Sequence, residues 1–242
     1  MVYYLYSFAR AGHHAVMNWI CEQSRPSVYF DNSTILKGEN LSIKSNTHTM
    51  FPDNSDEIAE VRLRGVNRKG KNIVPILPKV SECKLVVIGF IYANIVKRSN
   101  LYLKNKNVII VLRDPYNWVA SRVKHGGGVL LKTKGLLPLW KDYAKICLGD
   151  IKLHLDNLNL IDINYNAWFS SEEYRKNLAN RLGIQFTDKG LGYLKHMGIS
   201  KFQSEETNGR KLNVLERYNE IDVNSYIDDE MKELSKRYFG EL

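Results

Sequence analysis

Two short stretches hold residue types that could grip an anion. Arg10-Ala11-Gly12-His13-His14-Ala15 sets a fixed charge, a glycine turn and two imidazoles next to one another. Further on, Arg113 is followed eight residues later by Ser121. The first offers a planar fork of N–H donors and the second a hydroxyl, a pair suited to phosphate or sulfate oxygens. The sequence shows no metal-ligand cluster. Cys21, Cys83 and Cys147 lie far apart with no C-x-x-C pair, so neither a zinc ribbon nor a thioredoxin-type redox site is expected, and no metal. Free thiols are the expectation instead.

The elements that must hold these residues can be read around them. Val2 to Phe8 is short, apolar and rich in Tyr, as a buried strand would be, and it runs through Ala9–Gly12 into a helical stretch from His13 to about Gln23. Ala15, Val16, Trp19 and Ile20 share one face of that helix. A strand that turns through glycine into a helix leaves backbone N–H groups at the turn, and the helix dipole adds positive potential there. Val108 to Leu112 reads V-I-I-V-L, the clearest buried strand in the chain, and it ends in Arg113-Asp114-Pro115. The carboxyl end of a strand is where open α/β sheets place ligand contacts. Tyr116 to Lys124 then reads as a helix, with Asp114 as its N-cap and Pro115 in its first turn.

Further strands are expected at Ser27–Asp31, Lys84–Ile91 and Leu160–Ile163. Helices are expected at Val96–Lys104 and Pro138–Leu155, and from a Ser170 or Ser171 cap to Leu182, where Gly183 ends it. Strands alternating with helices, several of them continuously apolar, predict a single α/β domain over 1–242 with a mostly parallel sheet flanked by helices. The polar stretch 32–79, broken by Gly, Asn, Asp and Pro, is expected to recognise an acceptor or act as a lid. Lys37, Lys44, Arg62, Arg64, Arg68 and Lys69 lie within it.

Lys plus Arg is 35 against 26 Asp plus Glu, a net charge of +9. That balance suits an anionic partner but does not choose among a phosphate-rich cofactor, nucleic acid, an acidic glycan and a membrane surface. No basic run with interleaved aromatics and no nucleic-acid motif stands out, so nucleic acid is not expected. No apolar run reaches the length of a membrane span, and the N-terminal residues lack a basic region followed by an apolar one. The expectation is a soluble, cytoplasmic chain.

Together the two anion-gripping stretches resemble the sulfotransferases that use 3′-phosphoadenosine 5′-phosphosulfate (PAPS) and release 3′-phosphoadenosine 5′-phosphate (PAP). Phe8-Ala9-Arg10-Ala11-Gly12-His13-His14 looks like that family's P-loop-like phosphosulfate loop, with His13 and His14 in place of the usual hydroxyl pair. Val108–Leu112 followed by Arg113-Asp114-Pro115 and Ser121 is similar to its second signature, which grips the 3′-phosphate. Leu160–Tyr165 with Trp168 and the helix ending at Leu182-Gly183 looks like its late strand and fold-back helix. Gly198–Phe202 and Asn208–Lys211 are similar to its flexible late loop. The resemblance implies that Arg10, Ala11, Gly12, His13, His14 and Ala15 hold the 5′-phosphate. Arg113, Ser121, Arg210 and Lys211 would hold the 3′-phosphate.

The implied activity is sulfuryl transfer from PAPS to a hydroxyl or amine of a carbohydrate or small-molecule acceptor, with no metal required. Arg10 would stabilise the leaving phosphate. The catalytic base is left open. One branch of the family carries a His on the strand before Arg-Asp-Pro, and Val86–Phe90 has no ionisable side chain. Another places a carboxylate after the second strand, where Asp31 stands. His48 and His14 are the imidazole alternatives. Three other readings stay open: an inactive relative that binds only the nucleotide, a basic anion-binding module, and a P-loop kinase or hydrolase. The last lacks the G-x-x-x-x-G-K-[ST] pattern and has His at position 14.

Overall fold

A computed structural model describes residues 1–31, 83–91, 107–153, 157–191 and 213–241, together with four strands between 34 and 62. The strands are β1 (Val2–Ser7), β2 (Ser27–Asp31), β3 (Thr34–Leu36), β4 (Ser42–Lys44), β5 (Thr47–Phe51), β6 (Ala59–Arg62), β7 (Leu85–Ile91), β8 (Asn107–Leu112) and β9 (Asn159–Asn164). The helices are α1 (His13–Gln23), α2 (Pro115–Lys124), α3 (Gly128–Thr133), α4 (Leu136–Leu148), α5 (Tyr165–Ser170), α6 (Glu172–Leu182) and α7 (Asp229–Phe239). A 3-10 turn spans Arg217–Glu220.

The main sheet runs β6-β5-β2-β7-β1-β8-β9. From β2 to β9 every neighbouring pair is parallel, and β5 and β6 add to the β2 side antiparallel. β3 and β4 form a separate antiparallel pair. The chain is therefore α/β with a parallel sheet flanked by helices.

The central strands are apolar on both faces because both are covered. On β1, Tyr4 and Tyr6 point into one core while Tyr3 and Leu5 point into the other. On β8, Val108, Ile110 and Leu112 join the first core, and Ile109 and Val111 the second. Trp118 and Val119 of α2 and Trp140 and Tyr143 of α4 cover the first face; Val16, Met17, Trp19 and Ile20 of α1 cover the second. Each large apolar side chain taken wholly from water contributes about 1.5–3 kcal/mol.

The helices that follow β1 and β8 thus pack on opposite faces of adjacent strands. That arrangement makes the carboxyl ends of β1 and β8 the switch point, the place where open α/β sheets bind ligands. Ser7 Oγ donates to Val111 O at 3.1 Å and ties the two strand ends together.

Several expectations change. The helix expected over Pro138–Leu155 is α4, Leu136–Leu148. Gly149 at φ 80° adopts the left-handed conformation and its N–H closes on Ile146 O, which stops the helix. Pro138 fits inside its first turn, where an N–H has no intrahelical acceptor. Within 32–79, where no strands are assigned from the sequence, β5 and β6 extend the main sheet. α7 is not anticipated by the sequence reading, although Asp228 caps it by accepting from Met231 N at 2.9 Å. The expected helix at Val96–Lys104, the Gly198–Phe202 stretch, and Arg210 and Lys211 lie outside the described residues.

Candidate functional site

β1 passes into α1 through Phe8–Gly12, and the carbonyls of this turn are engaged from inside. Phe8 O accepts from Ala11 N at 3.1 Å, with His13 Nδ1 also 3.1 Å away. Ala9 O accepts from Trp118 Nε1 at 3.2 Å, and Arg10 O from Arg113 Nη1 at 3.2 Å. Oxygens that would repel an anion are thereby committed to the interior. Gly12 caps α1 without a side-chain acceptor for the first N–H groups of the helix. Those donors and the dipole favour negative charge.

Two residues of the turn are left-handed: Arg10 at φ 72° and Gly12 at φ 85°. For Arg10 this conformation costs roughly 1–2 kcal/mol. At Gly12 it excludes a side chain for a second reason, since a Cβ there would fall within 2.6 Å of the Tyr165 ring. Tyr165, directly after β9, therefore packs against the turn.

Arg113 leaves the end of β8 and is only 2% exposed. Its Nη1 donates to Arg10 O and its Nη2 to Val214 O, its guanidinium carbon lies 5.3 Å from the Tyr165 ring centre, and its Nε is buried without a partner. The Arg113 carbonyl accepts from Trp140 Nε1 at 3.0 Å, which fixes the backbone. Burial pushes the guanidinium pKa down, against the fields of Tyr165 and Asp114. Asp114 is no direct counter-ion by hydrogen bond. As the cap of α2 it accepts from Asn117 N at 2.8 Å and from Asn117 Nδ2 at 3.1 Å. Its carboxyl pKa is raised by burial, offset by Arg113 and Asn117.

Ser121 lies two turns along α2 and is buried. Its Oγ accepts from Arg217 Nη1 at 3.4 Å. Burial, and after it the charge of Arg113 with a further contribution from Arg10, lowers the Arg217 pKa to about 10. Three guanidiniums, from the β1 turn, the end of β8 and the 3-10 turn, thus gather at the carboxyl end of β8. Burial also keeps Tyr165 protonated, by raising its phenol. Like charges held together out of water are unfavourable unless something neutralises them. Guanidiniums and hydroxyls are side chains suited to phosphate oxygens.

The structure brings Arg10, Gly12, Arg113 and Ser121 to one edge, as their spacing predicts. It adds Arg217 and Tyr165, which sequence reasoning missed. Arg217 reaches Ser121 across 96 residues, and no local pattern marks it. The base alternatives lie toward the β2–β5 side of the same edge. His14 stacks edge-on against Tyr29 of β2 at 6.3 Å. Asp31 ends β2, opposite Thr47, and Phe30 pairs with His48. His13 is buried and serves the turn through Phe8 O.

Two surface grooves of about 350 and 560 Å³ share Tyr116 and Tyr218 as a wall. Neither is lined by Arg10, Arg113, Ser121 or Arg217, and the arginine cluster is the better site on chemical grounds. Among the described residues no cluster of His, Cys, Asp and Glu could hold a metal, and no helix is long and apolar enough to cross a membrane. Comparison with protein-family models, with curated proteins and with solved structures finds no match.

Proposed function

We propose that this protein is a PAPS-dependent sulfotransferase acting on a hydroxyl or amine of a carbohydrate or small-molecule acceptor. The observation that carries the reading is the buried trio of Arg113, Ser121 and Arg217 at the carboxyl end of β8. It is a second anion site beside the β1–α1 turn. A nucleotide with phosphates at both its 3′ and 5′ positions needs two such sites, and an ordinary mononucleotide needs one.

In this reading Arg113, Ser121 and Arg217 hold the 3′-phosphate and set the register of the nucleotide. Arg210 and Lys211 are proposed to close over it. Arg10, with the backbone N–H groups of Gly12, His13 and His14 and the ring of His14, holds the 5′-phosphate; the Ala11 and Ala15 N–H groups and the His13 ring, expected to share in this, are turned to Phe8 O and Gly12 O instead. PAPS supplies the sulfuryl group. The bond from sulfur to the 5′-phosphate oxygen breaks, a bond from the acceptor oxygen or nitrogen to sulfur forms, and PAP leaves. Arg10 and the turn stabilise charge developing on that leaving oxygen. The acceptor proton passes to a base from the β2–β5 side of the edge: His48, His14 or Asp31.

A second reading is favoured by one observation. β7, adjacent to β1, carries only Leu, Val, Ile, Gly and Phe, so no base stands on the strand beside the turn. A relative that binds PAP without transfer chemistry would have this composition. Incubation with ³⁵S-labelled PAPS and panels of glycans, phenols and amines distinguishes the two. Label transfer that Arg113→Ala abolishes is the expected result. PAP binding without transfer to any acceptor class supports the second reading, and failure to bind PAP in preference to AMP overturns both.

A further inference from the structure

Asn117 stands on α2 between Arg113 and Ser121, fully buried. Its side-chain amide is used at both ends. Nδ2 donates to Leu215 O at 2.7 Å and to both oxygens of Asp114 at 3.1 Å. Oδ1 accepts from Arg217 N at 2.7 Å. One side chain therefore reads the backbone of residues 215 and 217 in both directions, as a strand partner would. It does so across 98 and 100 residues of sequence. Arg113 donates to Val214 O on the same segment. Asp114, capping α2, holds the Asn117 amide in its orientation, so the bonds run from helix cap to amide to the backbone of Arg217. The Arg217 guanidinium then lies on Ser121.

We propose that Asn117 is a positioning residue: it fixes the backbone at Leu215 and Arg217 and so sets the second guanidinium of the anion site beside Ser121. Only a carboxamide meets the demand. Aspartate keeps the acceptor for Arg217 N but turns an oxygen toward Leu215 O and the Asp114 carboxylate, while an apolar residue leaves a buried N–H and a buried carbonyl unpaired. The identity of the anion as a 3′-phosphate rests on the function proposed above; the positioning of Arg217 does not.

The test is a double-mutant cycle on nucleotide binding, with PAP as probe and AMP as reference. Asn117→Asp and Arg217→Ala should each weaken PAP by roughly 10- to 30-fold and leave AMP within about twofold. Combined with Arg217→Ala, Asn117→Asp should weaken PAP no further. An undiminished effect of Asn117→Asp in the Arg217→Ala background, or wild-type PAP affinity in Asn117→Asp, overturns the proposal. Amide hydrogen exchange on the unmutated protein decides the matter should the variant not fold. The Arg217 N–H should exchange at least about 100-fold slower than a solvated amide, and exchange at the solvated rate overturns the proposal. If the wild type shows no preference for PAP over AMP, the sulfotransferase reading fails, and the exchange measurement still decides the role of Asn117.

Discussion

Arg175 and Arg113 are buried to a similar degree, 6% and 2% exposed, yet their surroundings differ in kind. Arg175 on α6 donates from Nε and Nη2 to the two oxygens of Asp188 at 2.7 and 2.9 Å, and from Nη1 to Trp168 O at 2.8 Å. Its charge is matched within the chain and each edge of its fork is bonded. Arg113 has two backbone carbonyls and an unpartnered Nε, and its charge in turn lowers the pKa of Arg217. Its adjacent carboxylate is bonded to Asn117. A buried arginine with its own carboxylate holds the fold together. Among the described residues Arg113 has no such bidentate carboxylate, and in the function proposed above an anion from outside takes that place.

The contrast is broken or sharpened by four experiments. Asp188→Asn keeps a residue that tolerates the left-handed backbone at φ 51° but strands the Arg175 charge. It should cost about 3–5 kcal/mol, lowering Tm by roughly 6–20 °C in a chain of this size, with the ratio of PAP to AMP affinity unchanged. A calorimetric scan that barely moves would erase the structural half of the comparison. Arg113→Ala should do the reverse. PAP binding should weaken by about 100-fold or more, near 2.7 kcal/mol, with a smaller loss of Tm than Asp188→Asn causes. Ser121→Ala removes one hydroxyl partner and should weaken PAP by about 3- to 10-fold by titration.

The smallest effect concerns pH. A cation whose folded pKa is lowered binds fewer protons folded than unfolded only above that pKa. With Arg217 at about 10, the cluster stays charged between pH 7 and 9, and its contribution to stability and PAP affinity should be flat there. As pH rises through about 10 the folded state sheds the proton first. Crowding then relaxes, the folded state gains stability, and the anion loses a partner. PAP titrations at pH 7, 8 and 9 should agree within about threefold. A fall of tenfold or more between pH 7 and 9 would contradict a site held by guanidiniums.

Much of this edge was legible from sequence because it is local. The β1 turn with its glycine, and the β8–Arg113–Asp114–Pro115 junction with its cap, are strand-to-helix transitions whose residues lie within a few positions of their partners. Ser121 is legible for the same reason, since helical spacing alone relates it to Arg113. Arg217, Tyr165 and the paired hydrogen bonds of Asn117 to the 215–217 backbone were not legible. Each depends on contacts spanning about fifty to a hundred and fifty residues, and neither charge nor periodicity near Arg217 or Tyr165 announces it. The overshoot of α4 has a local cause, the left-handed Gly149, which hydrophobic spacing across 138–155 concealed. β5 and β6 escaped because short strands at the antiparallel edge of a sheet lack the continuous apolar run that marked β7 and β8.

The most direct test of the account is isothermal titration of PAP and of AMP into the wild type and into Arg113→Ala. The two nucleotides differ only in the 3′-phosphate. The account predicts PAP tighter than AMP by about 100-fold or more in the wild type, with the preference lost in the variant and AMP affinity little changed. Equal affinity for the two nucleotides in the wild type would contradict it.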